Sequence, residues 1–63
     1  MRELLNEKQA SAVLALSVAS LRQRRYEGRP PAYLKFDKAV RYERAELERY
    51  IEACRVRPHN SSS

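Results

Sequence analysis

The residue types that could do chemistry in this chain are arginine and lysine, and they concentrate in one segment. Between Arg22 and Arg41, seven basic residues stand against two acidic ones, a net charge of +5. The whole chain, with 13 basic and 8 acidic residues, also has a net charge of +5, so the remaining residues sum to zero. Basic side chains attract a polyanion because each phosphate contact releases condensed counterions. The segment predicts a nucleic-acid partner, and a merely solvated surface is the alternative.

No group of residues has the composition of a catalytic or cofactor site. Paired catalytic carboxylates, a Gly-rich phosphate loop and a Ser/His/Asp or Cys/His nucleophile set are all missing from the sequence. The single His59 and the single Cys54 provide neither a zinc cluster nor an intramolecular disulfide. A chain of 63 residues is also too short to enclose a large substrate cavity. We therefore expect no enzymatic activity, cofactor, metal or small-molecule ligand.

The chain reads as one domain that is not inserted in a membrane. Its longest stretch of low polarity, residues 12–19, is interrupted by Ser17 and is too short to span a bilayer. The N-terminus lacks the apolar core of a signal peptide, and one free cysteine fits a reducing interior. We expect a soluble cytoplasmic protein with a single domain over residues 1–57. Residues 58–63 are expected to form a disordered polar tail.

A first helix is predicted over residues 7–14. Asn6 and Gln9 have the spacing of a capping box, in which each side chain bonds the backbone of the other residue. Apolar residues at i, i+3 and i+4 predict its core side, namely Ala10, Val13 and Leu14. The residues expected to face water are Glu7, Lys8 and Ser11. This helix is therefore predicted to be a packing element.

A second helix is predicted over residues 18–26, capped by Ser17 after a tight turn at Ala15 and Leu16. Gly28 is expected to end it in a left-handed conformation. Its core side is expected to hold Val18, Leu21 and the stem of Arg25, whose head would make a structural ion pair. The opposite side carries small or hydrogen-bonding residues that suit a major groove, namely Ala19, Ser20, Gln23 and Glu27, with Arg24 on the flank. Two short helices joined this way form a helix-turn-helix.

A β-hairpin and a closing helix are predicted to complete the domain. Apolar and basic residues alternate over residues 33–36 and 39–42, on either side of a turn at residues 37–38. A third helix, from residue 43 or 44 to about 55, carries an apolar stripe that would close the core: Leu47, Tyr50, Ile51 and Cys54. The tyrosines expected to pack in the core or at hinges are Tyr26, Tyr33, Tyr42 and Tyr50. The predicted fold is mostly α with a small β-hairpin.

Five short motifs occur in order between Leu4 and Ile51: LLNEKQASAVLALS, SxxSLxxxR, EGRPPAYLKF, VRY and AELERYI. Their order resembles the small MerR-like winged-helix proteins of the excisionase and AlpA group, found in bacteria, phages and integrated elements. The resemblance implies a winged helix-turn-helix, with two helices, a two-stranded wing and a closing helix, that binds double-stranded DNA. In that family the second helix enters the major groove, and the wing reaches the minor groove or the backbone.

The resemblance also assigns candidate DNA-binding residues. On or beside the recognition helix it places Ser17, Ser20, Arg22, Gln23 and Arg24. In the wing it places Lys35, Lys38 and Arg41. By their own chemistry, Gln23 can read an adenine edge and Arg24 can pair with guanine, whereas the two lysines suit phosphate as point charges. Arg41 either enters a narrow minor groove or pairs with Asp37 or Glu43.

The chain departs from the family pattern at four positions. Ala15 stands where the family usually has a glycine, and it would be strained if that position is left-handed. Ser20 replaces a common threonine and keeps its hydroxyl. Tyr50 stands in place of a tryptophan, and Arg24 often has an aromatic counterpart. These departures remove no expected DNA contact, but they leave the target sequence open.

Three outputs are compatible with these features. We favour an excisionase-like architectural factor, a recombination directionality factor that binds tandem sites cooperatively, because the chain has no ligand or dimerisation domain of its own. An integrase or recombinase, and neighbouring copies on DNA, are the further partners expected in that case. An AlpA-type transcriptional regulator is the alternative. A small protein-interaction factor of a mobile element is the alternative from another class, and RNA is disfavoured by its deep, narrow major groove.

Overall fold

The computed structural model describes residues 2–58 and shows three helices and a three-stranded antiparallel sheet, a small mixed α/β fold. In chain order the elements are β1 (Leu4–Leu5), α1 (Glu7–Leu14), α2 (Val18–Tyr26), β2 (Leu34–Phe36), β3 (Ala39–Glu43) and α3 (Arg44–Cys54). Within residues 2–58 no helix has the length and apolar character needed to cross a membrane. Of the tail predicted over residues 58–63, residues 59–63 lie outside the described residues.

Local side-chain caps determine where the first two helices begin. The Asn6 Oδ1 accepts a hydrogen bond from the Gln9 backbone N at 2.7 Å, and the Asn6 N donates to Gln9 Oε1 at 2.9 Å. At α2, the Ser17 Oγ accepts from the Ser20 backbone N at 3.0 Å. These bonds satisfy backbone groups that a helix end otherwise leaves without a partner. Both predicted caps are confirmed.

Left-handed residues end the same two helices. Ala15 has φ 56° and Gly28 has φ 69°, and each lies just after the last helical turn. After Gly28 the Arg29 N donates to the Arg24 carbonyl at 2.9 Å, which is the backbone bond of a Schellman motif. Glycine adopts this conformation freely, but the Cβ of Ala15 costs about 1 kcal/mol there. The sequence predicted mild strain at Ala15 only if this position is left-handed, and the structure shows that it is.

The sheet contains the predicted hairpin and one strand more. Leu34 pairs with Arg41 and Phe36 pairs with Ala39 across a turn in which Asp37 has φ 56°. The sequence predicted a sheet of two strands, but the structure has three. Strand β1 pairs with the other edge of β3, which gives the order β1-β3-β2. A strand of two residues is too short to show a period of two in the sequence. Only pairing with a strand nearly forty residues later reveals it.

The core is small and draws on every layer of the fold. Its fully or nearly fully buried apolar residues are Leu5, Ala10, Leu21, Tyr42 and Leu47, with Val13, Leu14 and Val40 packed against them. Tyr42, Leu21 and Leu47 are the largest side chains with no exposed surface. The predicted core sides of α1 and α2 are therefore confirmed. The partly exposed Tyr33 ring lies 6.1 Å from the Tyr42 ring, so it packs at the edge of the core.

Predictions about burial are wrong at several positions. Tyr26 is 71% exposed and Ile51 is 37% exposed, and the Cys54 thiol is exposed as well. The C-terminal turns of α3 extend past the core that Leu47 closes, so an apolar stripe at the correct period continues onto open surface. Ser11, expected to face water, is only 4% exposed, and its hydroxyl is satisfied by donating to the Lys8 carbonyl at 2.7 Å.

Truncation of Leu47 should unfold much of the population. Leu47→Ala removes a fully buried side chain from a core with few members, and such truncations cost about 2–5 kcal/mol. The total free energy of unfolding of a domain of this size is little larger than this loss. Urea unfolding followed by circular dichroism measures the loss. Val56→Ala, at an 88% exposed position, is the matched control and should leave the midpoint within error; equal effects of the two would contradict the assigned core.

Candidate nucleic-acid interface

The outer face of α2 is exposed because the other face is anchored in the core. Leu21 is fully buried and Val18 is partly buried, so their side of the helix faces inward. The exposed residues of the helix are Ala19, Arg22, Gln23 and Tyr26. We define these four residues as the outer face of α2. Ser17 is exposed at the helix start, and Ser20 lies half-buried beside the face.

Gln23 has the most accessible amide on the outer face. Its Nε2 donates to Glu27 Oε2 at 2.7 Å, one helical turn further along, and this bond is exposed. The bonds from Gln23 and Arg29 lower the pKa of the Glu27 carboxyl, so Glu27 stays charged. Gln23 therefore lies exposed on the outer face, and the base contact predicted for it stays a prediction.

Arg24 is directed toward α3 and away from the outer face. Its Nη1 donates to the Tyr50 hydroxyl at 3.1 Å. Its Nε is buried, and no acceptor bonds it within the described part of the chain. Arg24 follows Arg22 by two residues, which is a rotation of about 200° around a helix. The structure thus separates two arginines that the sequence placed together, and the base contact predicted for Arg24 stays a prediction.

Arg25 makes the structural ion pair expected for it, and its partner is Glu7. Two bonds join the groups, from Nε to Oε2 at 2.9 Å and from Nη2 to Oε1 at 3.2 Å. The Tyr42 hydroxyl also donates to Glu7 Oε2 at 3.2 Å, and the Arg22 Nε lies 3.6 Å from Oε1. Glu7 was expected to face water, but its side chain is only 14% exposed. This group of four side chains is called the Glu7 cluster below.

The contacts within the Glu7 cluster lower the pKa of Glu7 and raise the pKa values of Arg25 and Tyr42. The hydrogen bond from Arg25 holds the pKa of the Glu7 carboxyl below its usual range, although burial acts against it. The same bond raises the pKa of Arg25. Burial, followed by the neighbouring Glu7 charge, raises the pKa of Tyr42 to about 12. At neutral pH the cluster therefore contains one carboxylate, two guanidinium groups and a neutral phenol.

The hairpin presents two lysines and keeps its arginine close to the backbone. Lys35 and Lys38 are exposed, and neither has a carboxylate within 4 Å among residues 2–58. The half-buried Arg41 donates from Nη1 to the Val40 carbonyl at 2.7 Å. It forms no ion pair with either Asp37 or Glu43, and Glu43 lies 3.1 Å from Arg2 instead. The structure therefore does not support the ion-pair interpretation of Arg41.

Ion pairs divide the basic residues into two groups. Outside residues 22–41 every arginine of the described chain lies within 4 Å of a glutamate: Arg2, Arg44, Arg49, Arg55 and Arg57. Lys8 is the basic residue outside that segment for which the described chain offers no such partner. Within the segment, four have none among residues 2–58: Arg24, Lys35, Lys38 and Arg41. Uncompensated positive charge is thus concentrated in the segment that the sequence singled out.

Tyr26 belongs to the outer face of α2 although the sequence analysis assigned it to packing. It follows Gln23 by three residues and Arg22 by four, the spacing of neighbours on one helix face. The Arg25 guanidinium carbon lies 4.9 Å from the centre of its ring, a cation–π contact. The helical spacing was available in the sequence. What misled the prediction is the general tendency of tyrosine to be buried.

No protein-family model, curated protein or solved structure matches this chain. Residues 2–58 also contain no group of three or more His, Cys, Asp or Glu side chains that could hold a metal ion. The function must therefore be inferred from the geometry and charge of the described residues.

Removal of the Glu7 carboxylate should destabilise the fold in a pH-dependent way. The folded-state pKa of Glu7 is lowered, so its contribution is present above the unfolded pKa of about 4.3 and is lost as the pH falls through the folded pKa. Glu7→Gln should cost about 1.5–3 kcal/mol at pH 7, the range for hydrogen bonds to charged groups. As the pH falls below about 4.3, the difference between the two proteins should shrink, because the wild-type carboxyl takes up a proton in the unfolded state first.

Urea unfolding at pH 7 and pH 3 measures both effects. Glu48→Gln is the matched control because Glu48 is exposed and has no ion pair among the described residues. A loss for Glu7→Gln that is the same at both pH values would show that its charge is not what stabilises the fold.

Proposed function

We propose that the protein is a sequence-specific double-stranded DNA-binding module of winged helix-turn-helix type, with no chemistry of its own. The observation that carries the proposal is the concentration of uncompensated positive charge in residues 22–41, whereas arginines elsewhere are paired with glutamates. Elsewhere on the surface, glutamates offset the charges of the arginines that they pair with. The positive electrostatic field of the protein therefore comes mainly from this segment. A field of this sign favours phosphates at long range and attracts DNA toward this segment.

In this proposal α2 is the recognition helix. A helix enters the major groove with one face toward the bases, so it needs support on the opposite face and short polar side chains outside. Leu21 and Arg25 supply the support, and the outer face of α2 supplies Arg22 and Gln23. Ser17 and Ser20 stand at the helix start, where backbone N–H groups suit a phosphate. Arg24 joins the base-reading set only if its guanidinium leaves Tyr50.

The β2–β3 hairpin is the wing in this proposal. Lys35 and Lys38 are exposed, flexible cations, which suit phosphate contacts better than base reading. Arg41 would reach a narrow minor groove by giving up its bond to the Val40 carbonyl. Phosphate contacts from the wing would fix the register of α2 on the duplex. Base contacts from α2 would then supply the specificity.

The output that we favour is excisionase-like. A reader with one short recognition helix contacts few base pairs, so a single copy gains little specific affinity. Neighbouring copies on tandem sites, together with an integrase or recombinase, would supply the missing affinity. An AlpA-type transcriptional regulator is the alternative output of the same DNA-binding surface. Cooperative binding to tandem sites supports the first, and independent one-to-one binding supports the second.

Selection from a pool of random duplexes tests the proposal directly. The purified protein is used to enrich bound duplexes over several rounds, and a mobility-shift titration compares the enriched duplex with random DNA at two salt concentrations. We expect a consensus sequence, tighter binding to it than to random DNA, and affinity that falls steeply with salt. Equal weak binding to every duplex would reduce the interaction to generic electrostatics and contradict the proposal.

Truncation of Gln23 should relax specificity. Gln23→Ala should weaken binding to the selected duplex by about 1–3 kcal/mol, and discrimination should be lost at one position of the site. Affinity for random DNA should be unchanged because no phosphate contact is removed. Repeating the selection with the variant measures both quantities. An unchanged consensus would remove Gln23 from the set of base readers.

Truncation of Lys38 should act on affinity alone. Lys38→Ala should weaken selected and random DNA equally, and the slope of log affinity against log salt should fall by about one unit. Lys8→Ala is the matched control, because Lys8 is also an exposed lysine without a carboxylate partner in the described chain, but it lies on α1. The same change of slope for both variants would show that the charge acts generally and that the hairpin is not the wing.

A further inference from the structure

A groove of about 360 Å³ lies between the α1–α2 turn and the C-terminal half of α3. Leu14 and Leu16 line it on one side, and Ile51 and Cys54 line it on the other. Ile51 is 37% exposed in a fold whose core is small, so apolar area that could have been buried is left open. Arg24 reaches the groove from the side of α2 opposite Arg22. The groove is therefore separate from the outer face of α2.

Arg24 gives the groove a positive charge that has no carboxylate within 4 Å in the described chain. Its guanidinium has the Tyr50 hydroxyl at 3.1 Å as a polar partner, and its Nε is buried with no acceptor. The other arginine at the groove, Arg55, is already paired with Glu52 at 2.9 Å. Removing a guanidinium from water costs free energy unless an anion or several acceptors replace the water. The guanidinium fork matches a carboxylate, with which it forms two parallel bonds.

We propose that this groove is a docking site for a segment of a partner protein that presents an apolar side chain next to a carboxylate. The apolar side chain would lie against Leu14, Leu16 and Ile51, and the carboxylate would pair with Arg24. Charge complementarity selects the acidic group, since a cation without a carboxylate partner stands among apolar walls. This inference does not depend on whether the protein binds DNA.

The openness of the groove favours a protein segment over a small molecule. Sites for small molecules enclose most of the ligand surface, whereas peptide segments lie in grooves that are open to solvent. Here Ile51, Cys54 and Arg55 are all exposed, so the α3 side of the groove is accessible along its length. A helix or an extended strand of the partner can therefore approach without any rearrangement of the core.

The test uses two synthetic peptides of twelve residues with the same amphipathic pattern of leucines. In one peptide the polar positions are glutamates and glutamines, and in the other every glutamate is replaced by glutamine. Protein labelled with ¹³C in its methyl groups is titrated with each peptide, and the chemical shifts of the methyls are followed by NMR. We expect the acidic peptide to shift the methyls of Leu14, Leu16 and Ile51. The acidic peptide should bind about tenfold more tightly than the neutral peptide. Tenfold corresponds to about 1.4 kcal/mol, close to what one hydrogen bond between charged groups contributes.

Two variants of equal charge separate the site from general attraction to a basic protein. Arg24→Gln should abolish the preference for the acidic peptide, whereas Arg57→Gln, at an arginine whose side chain is 80% exposed, should keep it. A third variant, Ile51→Glu, leaves Arg24 in place but adds a carboxylate to the groove, and it should weaken the acidic peptide at least tenfold. Circular dichroism of each variant confirms that it is folded. If Arg24→Gln does not fold, the Ile51→Glu result decides alone.

Three results would overturn the proposal. The first is equal affinity of the wild-type protein for the two peptides. The second is a set of methyl shifts that lies elsewhere, for example on Val40. The third is an equal loss of preference in the Arg24→Gln and Arg57→Gln variants, because it would assign the binding to the net charge of the chain.

Discussion

The carboxylate of Glu7 is the constraint on which the rest of the structure depends. It lies on the first residue of α1 and accepts bonds from Arg25 on α2 and from Tyr42 on β3, so one side chain joins three elements. A negative charge at a helix N-terminus is also favoured by the helix dipole. The apolar core that surrounds this cluster has only five buried members. In a domain so small, a polar contact that joins three elements determines their mutual arrangement as much as the core does.

The Glu7 cluster also determines which side of α2 is available to a partner. Because Arg25 is bound to Glu7 and Leu21 is buried, the helix cannot rotate about its axis without breaking both contacts. This fixed orientation of α2 leaves its outer face exposed and directs Arg24 toward Tyr50 on α3. One nine-residue helix thus contributes to two separate surfaces. We propose the outer face for DNA and the Arg24 side for a segment of a partner protein.

Features determined by neighbours in the sequence could be predicted, and those determined by distant contacts could not. The Asn6 and Ser17 caps, the left-handed Gly28 and the hairpin all follow from residues within a few positions of each other. Strand β1 exists only through its pairing with β3, and no local pattern marks it. The charge of Arg25 implied a partner, but the identity of that partner depends on how α1 packs against α2. The sequence therefore predicted, incorrectly, that Glu7 faces water.

The candidate site shows the same division between local and distant information. Gln23 is exposed on the side of α2 that a helical wheel predicts, and Lys38 is exposed in the predicted hairpin turn. The sequence could not show that α3 extends beyond the core, so it assigned Ile51 and Cys54 to the interior. The contact between Arg24 and Tyr50, 26 residues apart, depends on the same extension. Periodicity determines the face of a helix, but only the packed structure determines what covers that face.

Mapping the backbone amides perturbed by DNA tests the central claim most directly. Protein labelled with ¹⁵N is titrated with a duplex obtained by selection, and the shift of each amide resonance is followed by NMR. The account predicts that the largest changes occur at residues 17–26 and 35–38, with little change at residues 51–56 of α3. Changes centred on the C-terminal half of α3, or spread evenly over all exposed residues, would contradict the assignment of α2 and the hairpin to DNA.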